Sequence, residues 1–348
     1  MSYTNRMMSR THFPAVLCYF LAFLAGLFGL PVYGQVYLPQ TLHTAPAWSP
    51  NGHEIAFAAS YGGTFDIYTV DIWTSRHQKV SNHPANDLYP SWAPNGRWIS
   101  YYSDRPSRFG PFPPERVLYK VRGLYENYAR DGYRPSWSVD GRTIAAHLRS
   151  ERGNYEIYLM DRRGRNRRPL TENRATDVHP KFSPDGSSIL FISDRDYQPE
   201  IYVMDADGRN QTRLTWSDSF DLDPVWSPDG QQILFISNRD GPFDIFVMDR
   251  DGSNLIRLTN SPSIDMAPVW SPDGSKILFS SNRSGYFDLY VMNRDGSSLQ
   301  RLTSGEYHEY YGSWSPRGSR IAYLSTEHGD PHLFLMNADG SRKRQLTR

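Results

Sequence analysis

Residues 258–292 read LTNSPSIDMAPVWSPDGSKILFSSNRSGYFDLYVM and contain one full copy of the pattern that predicts the architecture. Its central phrase, Trp-Ser-Pro-Asp-Gly or a near copy, occurs seven times at intervals of 44 or 45 residues. The copies begin at Trp48, Trp92, Trp137, Phe182, Trp226, Trp270 and Trp314. So even a period indicates a repeat architecture, in which each unit must stack on its neighbours to bury its faces.

The sixth repeat predicts four short strands, over residues 267–271, 276–281, 287–292 and 299–303. In the first turn Pro272 fixes φ and Gly274 accepts a positive φ. The third segment alternates apolar and polar residues, as a half-buried strand does. Four antiparallel strands per repeat are typical of a propeller blade. The sequence therefore predicts an all-β, seven-bladed β-propeller of four-stranded antiparallel blades.

The second repeat departs most from this pattern. It has a Pro-rich insertion over residues 106–115 and lacks the Asp-Gly hairpin before its outer strand. Such an insertion is either a rim loop that determines specificity or a tolerated surface loop.

The N-terminal segment predicts export. Arg6 and Arg10 precede an apolar run over residues 16–30, and residues 32–34 form a signal-peptidase site before Gln35. We expect a signal peptide over 1–34, a short lead-in over 35–44 and the propeller over 45–348. An uncleaved anchor is the alternative. Both interpretations place the propeller outside the cytoplasm, in the periplasm or secreted.

Composition narrows the function classes. The formal net charge is +1, which argues against nucleic acid and acidic membranes as partners. The only cysteine, Cys18, lies in the signal segment, so the mature chain has no thiol chemistry. No Gly-x-Ser-x-Gly elbow occurs, which argues against a serine hydrolase. We expect a monomer that does not insert into membranes after cleavage.

A carboxylate recurs five positions before the aromatic of the repeat. The predicted site residues are Asp87, Asp177, Asp221, Asp265 and Glu309. Because this position begins the innermost strand, the carboxylates should gather near one mouth of the channel. There they would favour a cationic peptide or a cation such as calcium. The alternative is that each carboxylate caps its own loop or pairs with backbone or an arginine.

An arginine also recurs in the turn after the second strand, at Arg105, Arg195, Arg239 and Arg283. Recurrence predicts a structural clamp, and the expected partners are acids of the third strand. These are Asp66, Glu156, Glu200, Asp244 and Asp288. Three weaker candidates remain. They are the arginine-rich hairpin over 162–168 as an anion site, residues 327–332 as a zinc site, and the histidines His43, His179 and His308 near one mouth.

The pattern from Leu258 to Met292 resembles the repeat of TolB-like propellers: Leu-Thr, Pro-x-Trp-Ser-Pro-Asp-Gly, Ser-Asn-Arg, then Ile/Leu-Tyr-x-Met. The resemblance covers residues 48–347 and implies a propeller that binds partner proteins or peptides. Two departures put a Tol–Pal role in question. That system's protein has an α/β domain before a six-bladed propeller, whereas here residues 35–44 precede seven repeats.

The sequence thus predicts an exported, non-catalytic binding propeller without a cofactor. Its partner, a protein or peptide, would bind at one face near the channel. The alternative is a metal-dependent polysaccharide lyase or hydrolase, because enzymes with related repeats hold a metal with histidines in the channel.

Overall fold

The computed structural model describes residues 45–61, 63–82, 84–103, 118–120 and 135–347. The predicted signal peptide and lead-in lie outside these ranges. Residues 40–348 form one compact unit. None of the described residues belongs to a helix that is long and apolar enough to cross a membrane.

The repeated Ser-Pro-Asp-Gly phrase forms the turn between the first two strands. In the sixth repeat, Ser271 Oγ donates to Asp273 Oδ1 (2.6 Å) and accepts the N–H of Lys276 (2.9 Å). Gly274 has a φ of 70° and donates its N–H to the Ser271 carbonyl (2.8 Å). Glycine adopts this left-handed conformation without a steric cost. The expected turn chemistry is confirmed.

Each four-stranded sheet is built from one continuous repeat, and we number these blades by repeat. Blade 1 contains β1 (Ala47–Trp48), β2 (Glu54–Ala59), β3 (Asp66–Asp71) and β4 (His77–Lys79). Blade 3 contains β8 (Ser136–Trp137), β9 (Thr143–Arg149), β10 (Tyr155–Asp161) and β11 (Arg168–Pro169). Blade 4 contains β12 (Asp177–Phe182), β13 (Ser188–Ser193), β14 (Glu200–Asp205) and β15 (Thr212–Arg213).

The last three blades repeat this arrangement. Blade 5 contains β16 (Asp221–Trp226), β17 (Gln232–Ser237), β18 (Asp244–Asp249) and β19 (Ile256–Arg257). Blade 6 contains β20 (Asp265–Trp270), β21 (Lys276–Ser281), β22 (Asp288–Asn293) and β23 (Gln300–Arg301). Blade 7 contains β24 (Glu309–Trp314), β25 (Arg320–Ser325), β26 (His332–Asn337) and β27 (Arg344–Gln345).

The described residues therefore form six four-stranded blades, not the seven that the sequence predicts. The second repeat forms a three-stranded sheet of β5 (Asp87–Trp92), β6 (Trp98–Ser103) and β7 (Leu118–Lys120). The difference falls on the repeat with the insertion, which separates β6 from β7. A fourth strand would fall within residues 121–134, outside the described ranges.

First strands of neighbouring sheets lie side by side: β1 beside β5, each of β8, β12, β16 and β20 beside the next, and β24 beside β1. Their large apolar residues fill the spaces between sheets. Leu278 and Leu289 of blade 6, for example, pack with Trp314 and Tyr323 of blade 7. Trp48 Nε1 donates to the Ser313 carbonyl (3.0 Å), which joins blade 1 to blade 7. The ring thus closes by packing of blade 7 on blade 1, as expected, and the described strands include none that is shared between these two blades.

Candidate functional site

The five predicted carboxylates all lie at one end of the blades, where the first strands begin. Each is the first residue of its strand, in β5, β12, β16, β20 and β24. We call this the acid end; in an antiparallel blade it also carries the turns from strand two to strand three and the connections to the next blade. The carboxylates are 0 or 1% exposed, so they do not form an open acidic surface.

Three of the carboxylates carry a buried ion pair. Arg195 Nη2 donates to both oxygens of Asp177 (3.1 and 3.0 Å), and its Nε donates to Ser193 Oγ (2.8 Å). Arg239 binds Asp221 and Arg283 binds Asp265 in the same way, at 2.7 to 2.9 Å. The negative charge of these three carboxylates is thereby neutralised within their own blades, as the structural alternative predicts.

The arginines are structural clamps, but the partner predicted for them is wrong. The acids of the third strand bind groups of the outer strand instead. Asp288 pairs with Arg301 (2.7 Å), and Asp66 pairs with Lys79 (2.6 Å). Glu200 accepts from Arg213 Nη2 (2.6 Å). The guanidinium of each of these three arginines lies over two aromatic rings, one on the second strand and one on the third.

Glu309 differs from the other carboxylates. Position 327, where an arginine is expected, is a glutamate, and Glu309 Oε2 has no hydrogen-bond partner among the described residues. Burial raises the pKa of Glu309, and the negative charge of Asp288 raises it further, while Thr303 and Lys343 lower it. For Asp87, the expected partner Arg105 lies outside the described ranges. The pKa of Lys79 is raised mainly by its hydrogen bond to Asp66, and the negative charge of Asp87 raises it further.

The histidines do not form a metal centre in the described part of the chain. His179 donates its backbone N–H to His147 Nδ1 (3.2 Å), and burial lowers the pKa of His147 to about 3. His308 Nδ1 accepts the N–H of Phe287 (3.2 Å). His43 lies outside the described ranges. Within those ranges no group of three or more His, Cys, Asp or Glu side chains is placed to hold a metal ion.

Two further candidates from the sequence were the arginine-rich hairpin over 162–168 and the proposed zinc site over 327–332. The hairpin over 162–168 joins β10 to β11 and is therefore at the opposite end; there Arg168 Nη1 donates to the Asp207 carbonyl (2.7 Å). In residues 327–332, the rings of His328 and His332 are 6.5 Å apart between centroids. His332 Nδ1 lies 3.5 Å from Thr347 Oγ1.

The acid end carries exposed aromatic side chains that sequence reasoning missed. Tyr197 and Trp216 are 95 and 73% exposed, and Tyr61 and Tyr286 are exposed as well. Three lie in turns between the second and third strands, and Trp216 lies between blades 4 and 5. The ring of Trp216 rests on the guanidinium of Arg213 (4.2 Å). Aromatic residues at positions outside the repeat pattern were the signal that could have revealed them.

The fold and its repeated arginine clamps define a β-propeller of antiparallel blades. The family described as TolB beta propeller domain matches residues 35–109, 120–241 and 220–348. The chain therefore belongs to the TolB β-propeller family.

Curated relatives match only part of the chain. The chain is 33% identical to Protein TolB homolog of Chlorobium chlorochromatii over 146 residues. The matched region is 41% of this chain and 32% of the relative. The chain is 33% identical over 119 residues to Tol-Pal system protein TolB of Desulfosudis oleivorans, 34% of this chain and 26% of the relative. The chain thus matches a third or less of the length of these relatives.

Two solved structures are similar in fold. A putative TolB from Agrobacterium tumefaciens is 26% identical, with a TM-score of 0.55 over 77% of this chain and 96% of that one. An oligogalacturonate lyase in complex with manganese is 16% identical, with a TM-score of 0.70 over 86% of this chain and 89% of that one. At this identity the second likeness concerns the fold alone.

Proposed function

We propose that this chain is an exported, non-catalytic propeller that binds a protein or peptide partner at the acid end. The observation that carries the proposal is the group of exposed aromatic side chains there: Tyr61, Tyr197, Trp216 and Tyr286. Exposed aromatic residues are enriched where proteins bind one another, because they bury a large area at a small cost in side-chain entropy. Relatives named for the Tol–Pal system support a protein partner.

The test is capture of partners from an envelope extract by the immobilised mature chain. The double variant Tyr197→Ala/Trp216→Ala should lose the proteins that the unaltered chain retains. Trp73→Ala is the matched control, because Trp73 is 63% exposed but lies in the turn between β3 and β4, at the opposite end. Equal capture by the double variant and the unaltered chain would contradict the proposal.

Among the five predicted site carboxylates, we propose the partner-binding role for Glu309, and for Asp87 that role stays a prediction from the sequence. Asp177, Asp221 and Asp265 are neutralised by arginines and serve the blades themselves. We propose no cofactor, and calcium is the cation to test. Metal analysis of the purified chain should find no stoichiometric divalent ion, and a stoichiometric ion would favour the second function below.

The second candidate function is the metal-dependent polysaccharide lyase or hydrolase that the sequence left open, and an oligogalacturonate lyase in complex with manganese shares the fold. Incubation of the mature chain with oligogalacturonate and manganese should yield no unsaturated product. Formation of that product would replace the binding proposal with the lyase.

Export and blade number complete the proposal. We infer periplasmic or secreted localisation, with the mature chain beginning at Gln35, and the N-terminal sequence of the chain from a cell envelope fraction tests this.

We also infer that the three-stranded sheet belongs to a seventh blade. It lies between blades 1 and 3, since Trp92 Nε1 donates to the Ala47 carbonyl (3.1 Å) and Trp137 Nε1 to Ser100 Oγ (3.0 Å). An experimental structure that shows residues 104–134 tests this: a fourth strand in this sheet would support the seventh blade, and its absence would contradict it.

A further inference from the structure

Blades 4 to 6 show what a filled arginine site looks like. In blade 6 the guanidinium of Arg283 binds Asp265, its Nε donates to Ser281 Oγ (2.9 Å), and it lies over two rings. The rings are Phe279 and Tyr290, at 5.5 and 5.0 Å from the guanidinium carbon. Blades 4 and 5 contain the same carboxylate, serine and ring pair. The site is thus a receptor for guanidinium that each of these blades fills with its own arginine.

Blade 7 keeps the receptor and lacks the arginine. Glu309 lies opposite Ser325, as Asp265 lies opposite Ser281. Tyr323 lies opposite Phe334, with ring centroids 5.7 Å apart; for Phe279 and Tyr290 the distance is 5.8 Å. Two residues after the serine, however, the chain has Glu327 in place of an arginine. We call Glu309, Ser325, Tyr323 and Phe334 the blade 7 slot.

The slot has a carboxylate without a matching cation. Glu309 is 1% exposed, and its Oε2 has no hydrogen-bond partner among the described residues. In blade 5 a serine four residues earlier, Ser217, donates to Asp221 (3.2 Å), but the equivalent residue here is Gly305. Thr303 hydrogen-bonds to Glu309, but a buried carboxylate with one unpaired oxygen and no paired cation is costly, so a group that supplied the missing charge would be bound favourably.

The surroundings of the slot are negative on the side from which a ligand would come. Glu327 is exposed in the turn above, and its charge raises the pKa of Glu309, as does that of Asp288. Tyr307 is half-buried beside both glutamates, and its ring lies against Gly305, where a β-carbon would be 2.4 Å from it. The four slot residues are 5% exposed or less although no arginine of the described residues fills the slot, so a guanidinium can enter only if neighbouring side chains move.

We propose that the blade 7 slot binds an arginine side chain of the partner polypeptide, in the place that Arg283 has in blade 6. The inference rests on the proposed function and names the chemistry by which the partner is recognised. The ring pair favours a flat guanidinium over an ammonium, and Ser325 provides an acceptor for its Nε–H. Calcium would need several oxygen ligands at one point, more than the one carboxylate and the hydroxyls of Ser325 and Tyr323 provide.

Calorimetric titration of the mature chain with the capped peptide Gly-Arg-Gly tests the slot. We expect saturable binding that weakens at least about tenfold with Gly-citrulline-Gly, which keeps the shape but has no charge. Glu309→Gln should weaken binding of the arginine peptide to the same extent, and Glu306→Gln, an exposed change in the same loop, should not. Absence of saturable binding, or equal binding by Glu309→Gln, would overturn the proposal.

A second variant keeps the test independent of peptide affinity. Glu327→Arg should fill the slot from within, raise the midpoint of thermal unfolding by about 3 °C and abolish peptide binding. Glu327→Gln is its control and should do neither. If Glu327→Arg neither stabilises the chain nor blocks the peptide, the slot is not a guanidinium receptor. One result would separate the two proposals: Glu327→Arg still captures partners, whereas Tyr197→Ala/Trp216→Ala loses them. The slot proposal would then be wrong and the proposed function would stand.

Discussion

The ion pair between Arg239 and Asp221 is an example of the three buried arginine clamps. The Asp221 side chain is 0% exposed and that of Arg239 is 17% exposed. Arg239→Gln would leave the carboxylate buried and without its cation, which costs about 3–5 kcal/mol in other buried pairs. We therefore expect urea denaturation to show a loss of that order in the free energy of unfolding.

The control for this prediction is an exposed pair. Arg209 and Asp207 lie 3.6 Å apart with side chains 82 and 50% exposed. Arg209→Gln should change the free energy of unfolding by less than about 1 kcal/mol, because water screens such a pair. Similar losses for the two variants would contradict the structural role of the Arg239 clamp.

His147 makes stability depend on pH. Burial lowers its pKa to about 3, so the folded chain keeps it neutral, whereas the unfolded chain binds a proton near pH 6.5. Below that value the unfolded state binds more protons, and stability falls as the pH falls from 6.5 toward 3. Between pH 7 and 5 the loss due to His147 should be about 2 kcal/mol.

The variant His147→Asn measures this contribution. An amide oxygen can accept the N–H of His179, which His147 Nδ1 accepts at 3.2 Å, and it does not titrate. Urea denaturation at pH 7 and at pH 5 should show that the pH-dependent loss of the variant is smaller by about 2 kcal/mol. An unchanged difference between the two pH values would mean that His147 is protonated in the folded chain.

The repeated arginine also shows how far sequence predicts a residue's role. Its recurrence predicted a clamp, and that is confirmed for Arg195, Arg239 and Arg283. The partner could not be predicted, because the acids of strands one and three both begin their strands at the same end of the blade. Asp221 and Asp244 both lie opposite Ser237, so they share a face of the sheet and the face does not choose between them. The choice depends on Thr259 and Arg257, which already bind Asp244.

The outer strands have only two residues in blades 3 to 7, and a threonine after each strand reinforces its attachment. In blade 5, Thr259 Oγ1 accepts the N–H of Ile245 (2.9 Å) and donates to Asp244 Oδ1 (3.0 Å). Thr259→Val keeps the shape but leaves both buried groups without this partner. We expect urea denaturation to show a loss of about 1–3 kcal/mol in the free energy of unfolding.

Thr259→Ser is the matched variant, because it keeps the hydroxyl and removes only a methyl group. Its loss in the free energy of unfolding should be about 1 kcal/mol or less. If Thr259→Ser destabilised the chain as much as Thr259→Val, packing of the methyl group rather than the hydrogen bonds would hold the outer strand.

Strand positions were predicted well where side chains alternate and less well at strand ends. The second strand of the sixth repeat was predicted over 276–281, and β21 has those bounds. The first strand begins two residues earlier than predicted, at Asp265, because aspartate is unfavourable in strands and reads as a loop residue. Its Arg283 clamp makes that position acceptable. The bulge after Met266, with Ala267 at a φ of 51°, was not predicted either.

At the scale of the whole molecule, the period of the repeat predicted how the ring closes. Each four-stranded blade uses one continuous repeat, so no strand from one end of the chain is needed to complete a sheet at the other. The period could not predict the second sheet, because an insertion disrupts the local pattern that defines its strands. Similarly, the repeat predicted an acidic end and left open whether each carboxylate pairs with an arginine; side-chain contacts within blades 4 to 6 decide for the pairs.

Closure of the ring relies on side-chain contacts between blades 1 and 7. Trp48 Nε1 donates to the Ser313 carbonyl (3.0 Å), whereas Trp314 Nε1 has no partner among the described residues. Trp48→Phe and Trp314→Phe remove the same side-chain atoms, and Trp314 is the more buried of the two, but only the first substitution removes this bond. Trp48→Phe should therefore lose about 1 kcal/mol more in the free energy of unfolding, measured in urea. Equal losses would show that the bond across the seam does not stabilise the closed ring.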